Sequence, residues 1–176
     1  MTSTLSHPAR LALSMIMGDN DLLNLARRVT EIAGRPVVGG LAVFLHGYER
    51  TTVDIDLYTD DPQETARLLS EAGLKWNARR REFEIEGVAV HLVTGESFGG
   101  AIGRTTRIRE VRVVGLADLV RGKMMVGLAK LNRAKDLADV IELIRRVPLS
   151  KSFAAKLPPD LRGAFKQMVD AVREDR

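Results

Sequence analysis

The sequence predicts an α+β protein: a small, mixed, twisted sheet flanked by helices, with a C-terminal helical part covering one side. Three observations predict it. Thr52 to Tyr58 alternates strictly, Val53, Ile55 and Leu57 pointing one way and Asp54 and Asp56 the other. Two short runs, Glu82 to Ile85 and Val88 to Thr94, meet at Glu86-Gly87 as a tight hairpin would. From Leu116 onward the apolar residues recur at helical spacing. The expected division is an α/β core with an N-terminal helix over 1–115, and a helical part over 116–176 packed on that core.

The first helix signal starts at Asp19-Asn20, runs through Leu22, Leu23, Leu25, Ala26, Val29 and Ile32, and stops at Gly34. Pro36-Val37-Val38 then leads, as a short strand, into Gly39-Gly40, and Leu41 to Leu45 reads as a short buried helix ending near Gly47. After the alternating strand, Asp61 can cap a helix, Pro62 suits its first position and Glu64 can complete a capping box. That helix should end near Gly73. Ser97 to Arg104 is glycine-rich and reads as a loop, and Arg109 to Val114 as another strand. Three helices follow: one to about Leu131, one from Ala134 to Arg146, and one from Asp160 to Glu174 behind Pro158-Pro159.

With 176 residues, 45% of them hydrophobic and 28% charged, the chain can hold a core without disulfides or a structural metal. It has no cysteine, which removes thiolate nucleophiles, thiolate metal sites and disulfide frameworks together and fits a reducing cytoplasm, the expected location. The longest apolar stretch, near Val37 to Leu45, is about half the ~20 residues of a membrane-spanning helix, so no membrane partner is expected. The apolar patch Leu11 to Met17 has only Arg10 before it and no cleavage site after it, unlike a secretory signal. A net charge of +4, carried mostly by arginine, leans toward an anionic partner.

The chemistry is concentrated in Gly39-Gly40 and Arg50-Thr51-Thr52-Val53-Asp54-Ile55-Asp56-Leu57. Aspartate is depleted in strands, and two on one face, about 6.6 Å apart at ~3.3 Å per residue, repel each other. At that spacing Asp54 and Asp56 can converge on one hard divalent cation such as Mg²⁺ (or Mn²⁺), which takes one or two carboxylates plus water and phosphate oxygens. The backbone N–H groups of the Gly39-Gly40 turn can point at a phosphate. Arg50 and Thr52 can offer a guanidinium and a hydroxyl to the same anion. Each half alone has a plain explanation, a turn or a solvated strand. Together, with Gly40 and Asp54 only 14 residues apart, they point to a metal-bound triphosphate.

The run Gly-Gly-Leu-Ala-Val-x-Leu-His-Gly-x-x-Arg-x-Thr-x-Asp-Ile-Asp-Leu resembles the signature of the nucleotidyltransferase-fold superfamily, and within it the minimal AbiEii-like branch, which includes toxins of abortive-infection and toxin–antitoxin systems. The resemblance spans about Val37 to Arg146 and implies a nucleotidyltransferase-like fold. It also implies a metal-dependent enzyme moving a nucleotidyl group from a nucleoside triphosphate to an acceptor. An RNA end, tRNA especially, is the acceptor the toxin branch suggests; a protein side chain is the alternative, and a cognate antitoxin is the implied partner. Lys123, and then Lys135-Asp136-Leu137-Ala138-Asp139, resemble that group's later motifs. By that resemblance Lys123 contacts triphosphate, and Lys135, Asp136 and Asp139 line the same cleft, with Asp136 a catalytic candidate. A plainer account of Lys135 and Asp139 is an i, i+4 pair on an exposed helix face.

The pattern breaks at one position. Members of the superfamily carry a third carboxylate on a later strand, and the matching residue here is His91. Neutral imidazole is a poor Mg²⁺ ligand. His91 is then either a general base or an inert, half-buried strand residue, with Glu84 and Glu86 as substitute acids if the register shifts. That break opens a second reading: a catalytically impaired binding or scaffold protein on the same fold. His46 is expected to be structural, His7 carries no argument, and Ser97 has no triad around it. Arg79-Arg80-Arg81 and the spaced set Arg104, Arg107, Arg109 and Arg112 are solvated surface or, as a third reading, an RNA-backbone stripe. With 5% aromatic residues, and Trp76 the only tryptophan, base stacking is not expected to contribute much.

Overall fold

The computed structural model describes residues 19–174; the patch Leu11 to Met17 and His7 lie outside them. The elements run α1 (Asp19–Ala33), β1 (Val37–Val38), α2 (Gly39–Leu45), β2 (Asp54–Tyr58), α3 (Pro62–Glu71), β3 (Lys75–Asn77), β4 (Glu82–Ile85), β5 (Val88–Val93) and α4 (Gly95–Phe98). They continue with β6 (Thr105–Ile108), β7 (Val111–Val114), α5 (Leu116–Ala129), α6 (Ala134–Arg146) and α7 (Pro159–Glu174). Short 3-10 turns at Leu131–Arg133 and Lys151–Lys156 precede the last two helices.

The strands form one mixed sheet in the order β3-β4-β5-β2-β1-β7-β6. β2 lies at its centre, antiparallel to β1 and parallel to β5, and β1 runs parallel to β7. The alternation in β2 does what its period dictates: Ile55 and Leu57 are fully buried, while Asp54 and Asp56 stay half-buried on the other face. Val37, Val90 and Val113, from the strands around β2, complete the same apolar layer. Helix α1 packs against β7 and α3, α2 against β1, β2 and α5, and α5 against α6. Among the described residues no helix is long and apolar enough to cross a membrane.

The start of α3 follows its local signals. The Asp61 carboxylate accepts the Glu64 N–H at 3.0 Å and Pro62 opens the helix, but the Glu64 carboxylate turns to Arg67 at 2.8 Å instead of closing the box. Two edge strands, β3 and β6, escaped the sequence pattern because their exposed residues show no apolar alternation. The strand expected over Arg109 to Val114 starts later, at Val111. Arg109 and Glu110 have φ of +48° and +65° and form the two-residue turn between β6 and β7, a conformation that such hairpins require at both positions. A helical turn, Gly95–Phe98, takes in the first two residues of the glycine-rich segment Ser97 to Arg104, and the rest of it is a loop.

Leu57→Ala should lower stability by about 2–5 kcal/mol in urea denaturation, because it opens a cavity in the closed layer beneath the sheet. Asp54→Asn, at a half-buried position on the opposite face of β2, removes no apolar volume and should not reproduce that loss.

Candidate active site

The site is built where β1 turns into α2 beside the middle of β2. The register pairs Val38 with Asp56, so the residue after the strand arrives against the Asp56 carboxylate. That residue is Gly39, with φ of +65°; a Cβ on it would lie 1.9 Å from Asp56 Oδ2. Both its conformation and the space exclude a side chain. Gly40 is nearly as confined, since its Cβ would meet Thr52 Oγ1 at 3.0 Å and Arg50 Cζ at 3.6 Å. Thr52 Oγ1 donates to Asp54 Oδ1 at 3.3 Å. The glycine turn, Arg50, Thr52 and the two aspartates, separated in sequence, therefore form one wall.

The parallel pairing of β2 with β5 sets His91 beside Asp56. His91 Nδ1 lies 3.2 Å from Asp56 Oδ1 and 3.9 Å from Asp54 Oδ2, and Nε2 lies 3.1 Å from Glu82 Oε2. Glu82, at the start of β4, is only 5% exposed, and Arg80 Nη1 approaches it at 3.7 Å. Asp56, His91 and Glu82 thus form a row of acid, imidazole and acid across three neighbouring strands. The hydrogen bond that the ring donates to Asp56 pushes the His91 pKa up, against the opposing effect of burial; with the charge of Asp56, the bond to Glu82 and the charge of Asp54 it reaches about 9. Burial, and then the charge of Asp56, hold the Asp54 carboxyl above the usual carboxylate range.

A second set of charges closes the site from the helices. Lys123, on α5 and 7% exposed, donates to Asp136 Oδ1 at 2.9 Å and Asp139 Oδ2 at 2.7 Å, both on α6. Arg50 Nη1 reaches Asp139 Oδ1 and Oδ2 at 2.9 and 2.7 Å, and Arg133 Nε reaches Asp136 Oδ2 at 2.7 Å. The result is a continuous chain, Arg133–Asp136–Lys123–Asp139–Arg50, that ties the segment before β2 to α5 and α6. Burial pulls the Asp136 pKa upward, but the hydrogen bond and charge of Lys123, followed by those of Arg133, hold it below its ordinary value. Between these helices and the glycine turn lies a cleft of about 180 Å³, whose lining includes Gly39, Asp56, Ser97, Lys123, Arg133 and Asp136. Gly122 lets α5 approach α4, since a Cβ there would meet the Phe98 carbonyl at 2.7 Å.

No protein-family model matches the chain, and no curated protein matches it. Among solved structures it is similar to the crystal structure of an antigenic nucleotidyltransferase-like protein from Paracoccidioides brasiliensis, with a TM-score of 0.52 and 17% identity over 85% of this chain and 94% of that one. The fold is nucleotidyltransferase-like. Within it, Asp54, Asp56 and His91 each offer a ligand atom, all within 4.8 Å of one another, a grouping that fits a divalent metal.

Most of the residues singled out from the sequence come together here: Gly39, Gly40, Arg50, Thr52, Asp54, Asp56, His91, Lys123, Asp136 and Asp139. Lys135 does not join them; it is exposed on α6, and Asp139 is taken by Lys123 and Arg50. Arg133, which the sequence pattern did not single out, lines the cleft instead; its i, i+3 spacing from Asp136 was the available signal. Both ring nitrogens of His91 face carboxylates. The acid beside it is Glu82 and neither Glu84 nor Glu86: Glu84 pairs across the ladder with Ala89, and Glu86 binds Arg28 of α1 at 2.6 Å. Counting back from the Glu86-Gly87 turn would have set Glu82 across from His91. His46 is structural, its Nε2–H donating to the Val114 carbonyl at 2.8 Å, and burial lowers its pKa. Of the spaced arginines, Arg107 and Arg112 face each other across β6 and β7, and Arg109 lies over the Phe44 ring at 5.3 Å.

Gly39→Ala should cost at least about 2 kcal/mol in chemical denaturation, combining a left-handed backbone with the clash on Asp56. Gly34→Ala, at a similar φ of +64° but with nothing within 4 Å, should cost clearly less, and the difference measures the close approach. Because the fold raises the His91 pKa from 6.5 to about 9, the metal-free protein gains stability from the imidazolium in full below about pH 6.5 and loses it as the pH rises through 9. Thermal melts from pH 6 to 10 should show that decline, and His91→Gln should flatten it.

Proposed function

We propose that the protein is a metal-dependent nucleotidyltransferase that transfers a nucleotidyl group from a nucleoside triphosphate to an acceptor hydroxyl. The single observation that carries this reading is the closure of the Gly39 turn onto Asp56, which sets the turn and that carboxylate, with Asp54 beside it on β2, at one wall of a cleft. Asp54 and Asp56 would hold the ion, which would supply charge neutralisation on the phosphates and polarisation of the α-phosphorus. The turn at Gly39-Gly40 and the Thr52 hydroxyl position phosphate oxygens. Lys123 and Arg133 present positive charge to the cleft while Asp136 and Asp139 hold them in place. An acceptor oxygen forms a bond to the α-phosphorus, the bond to the bridging oxygen breaks, pyrophosphate leaves, and the acceptor's proton passes to water.

By its resemblance to the AbiEii-like branch, an RNA end, tRNA especially, is the first acceptor to test, and a toxin role restrained by a partner antitoxin is the corresponding biology. One observation favours a second reading, a nucleotide-binding scaffold: His91 stands in register with Asp56 where a third carboxylate is expected.

Incubation with labelled nucleoside triphosphate, a divalent ion and total RNA should give incorporation that falls by at least about 100-fold in Asp54→Ala and in Asp56→Ala. Incorporation that survives both changes removes the transferase reading. Thermal stabilisation by nucleotide with no incorporation into RNA or protein supports the scaffold.

A further inference from the structure

We propose that the site takes a divalent first-row transition ion in preference to Mg²⁺, with Asp54, Asp56 and His91 Nδ1 as its protein ligands and Glu82 as the group that orients the imidazole. The inference rests on the reading of Asp54 and Asp56 as metal ligands and adds to it the ion class and the roles of two further residues.

The three ligand atoms lie within 4.8 Å of one another, and the two separations from the imidazole suit a shared ion. Two ligand atoms each about 2.1 Å from one ion lie about 3.0 Å apart at a right angle and about 4.2 Å apart when opposite. Nδ1 lies 3.2 Å from Asp56 and 3.9 Å from Asp54, within that interval. The strand register enforces this arrangement, since Asp56 and His91 are direct neighbours in the parallel ladder between β2 and β5.

The environment of the second ring nitrogen is the independent observation. A metal-bound histidine commonly donates its other N–H to a carboxylate, which fixes tautomer and ring orientation and strengthens the ligand. Here Nε2 points to Glu82 at 3.1 Å, and Glu82 is 5% exposed. Nδ1 is thereby directed to the aspartates. A nitrogen ligand changes which ion binds best, because Mg²⁺ selects oxygen, whereas first-row transition ions accept imidazole beside carboxylates, the later ones most readily; Mn²⁺, the most oxygen-preferring of them, is therefore the strictest probe.

The probes are Mn²⁺ and Mg²⁺, titrated into metal-free protein by calorimetry and, for Mn²⁺, followed by electron paramagnetic resonance. Wild type should bind Mn²⁺ at least about tenfold tighter than Mg²⁺, and pulsed spectra should show coupling from a bound imidazole nitrogen. His91→Asp should remove that coupling and narrow the preference by strengthening Mg²⁺. Glu82→Gln should weaken Mn²⁺ binding about tenfold while keeping the coupling. Equal affinities without nitrogen coupling would overturn the inference and leave two-aspartate metal binding, and so the transferase reading, standing. Binding of neither ion, or binding unchanged by Asp54→Ala, would overturn both. The wild-type nitrogen coupling decides the matter even where His91→Asp does not fold.

Discussion

The carboxylates of Asp54 and Asp56 repel each other on one face of the central strand, and the surrounding structure is arranged around that repulsion. They cannot turn away, because the other face of β2 is filled by Ile55 and Leu57, both fully buried. Burial strengthens the electrostatic cost, since charges are screened less away from water. In the chain alone, His91 supplies the nearest compensating charge, lying against Asp56 on one side and Glu82 on the other. Metal binding to such a set exchanges a proton for an ion, so affinity is coupled to pH as at any site whose ligands must deprotonate.

The backbone at Gly39 presses on the same carboxylate. Its left-handed conformation turns the chain from β1 into α2 within one residue, and the missing side chain lets the turn sit against Asp56. A short strand, a glycine turn and a short helix thus make the wall of the cleft, and α2 braces that wall against α5.

The opposite wall depends on charge pairing. Lys123 is buried between Asp136 and Asp139, and Arg50 and Arg133 extend the chain at either end. Removing one member of a buried pair leaves its partner uncompensated, which is far costlier than losing a surface pair. Arg50, Lys123 and Arg133 together carry one positive charge more than Asp136 and Asp139 balance, so this charge chain is net positive beside the acidic wall.

What the sequence by itself determined were the features encoded within a few residues: the alternation that splits β2 into an apolar and an acidic face, the hairpin at Glu86-Gly87, the cap at Asp61, and the helices from Leu116 on. Local spacing also marked Gly39, Gly40, Asp54 and Asp56 as one constellation. Only the tertiary structure decided what depends on register and on packing between distant segments. Placing Glu82 against His91 required the β4–β5 pairing, and placing His91 against Asp56 required a parallel pairing between strands 35 residues apart. Lys135 stays out of the cleft because the apolar face that α6 buries sets that helix's rotation, and Arg133, in the turn just before α6, lines the cleft instead. Periodicity assigns a side chain to a face; the partner across that face is chosen by how the elements pack.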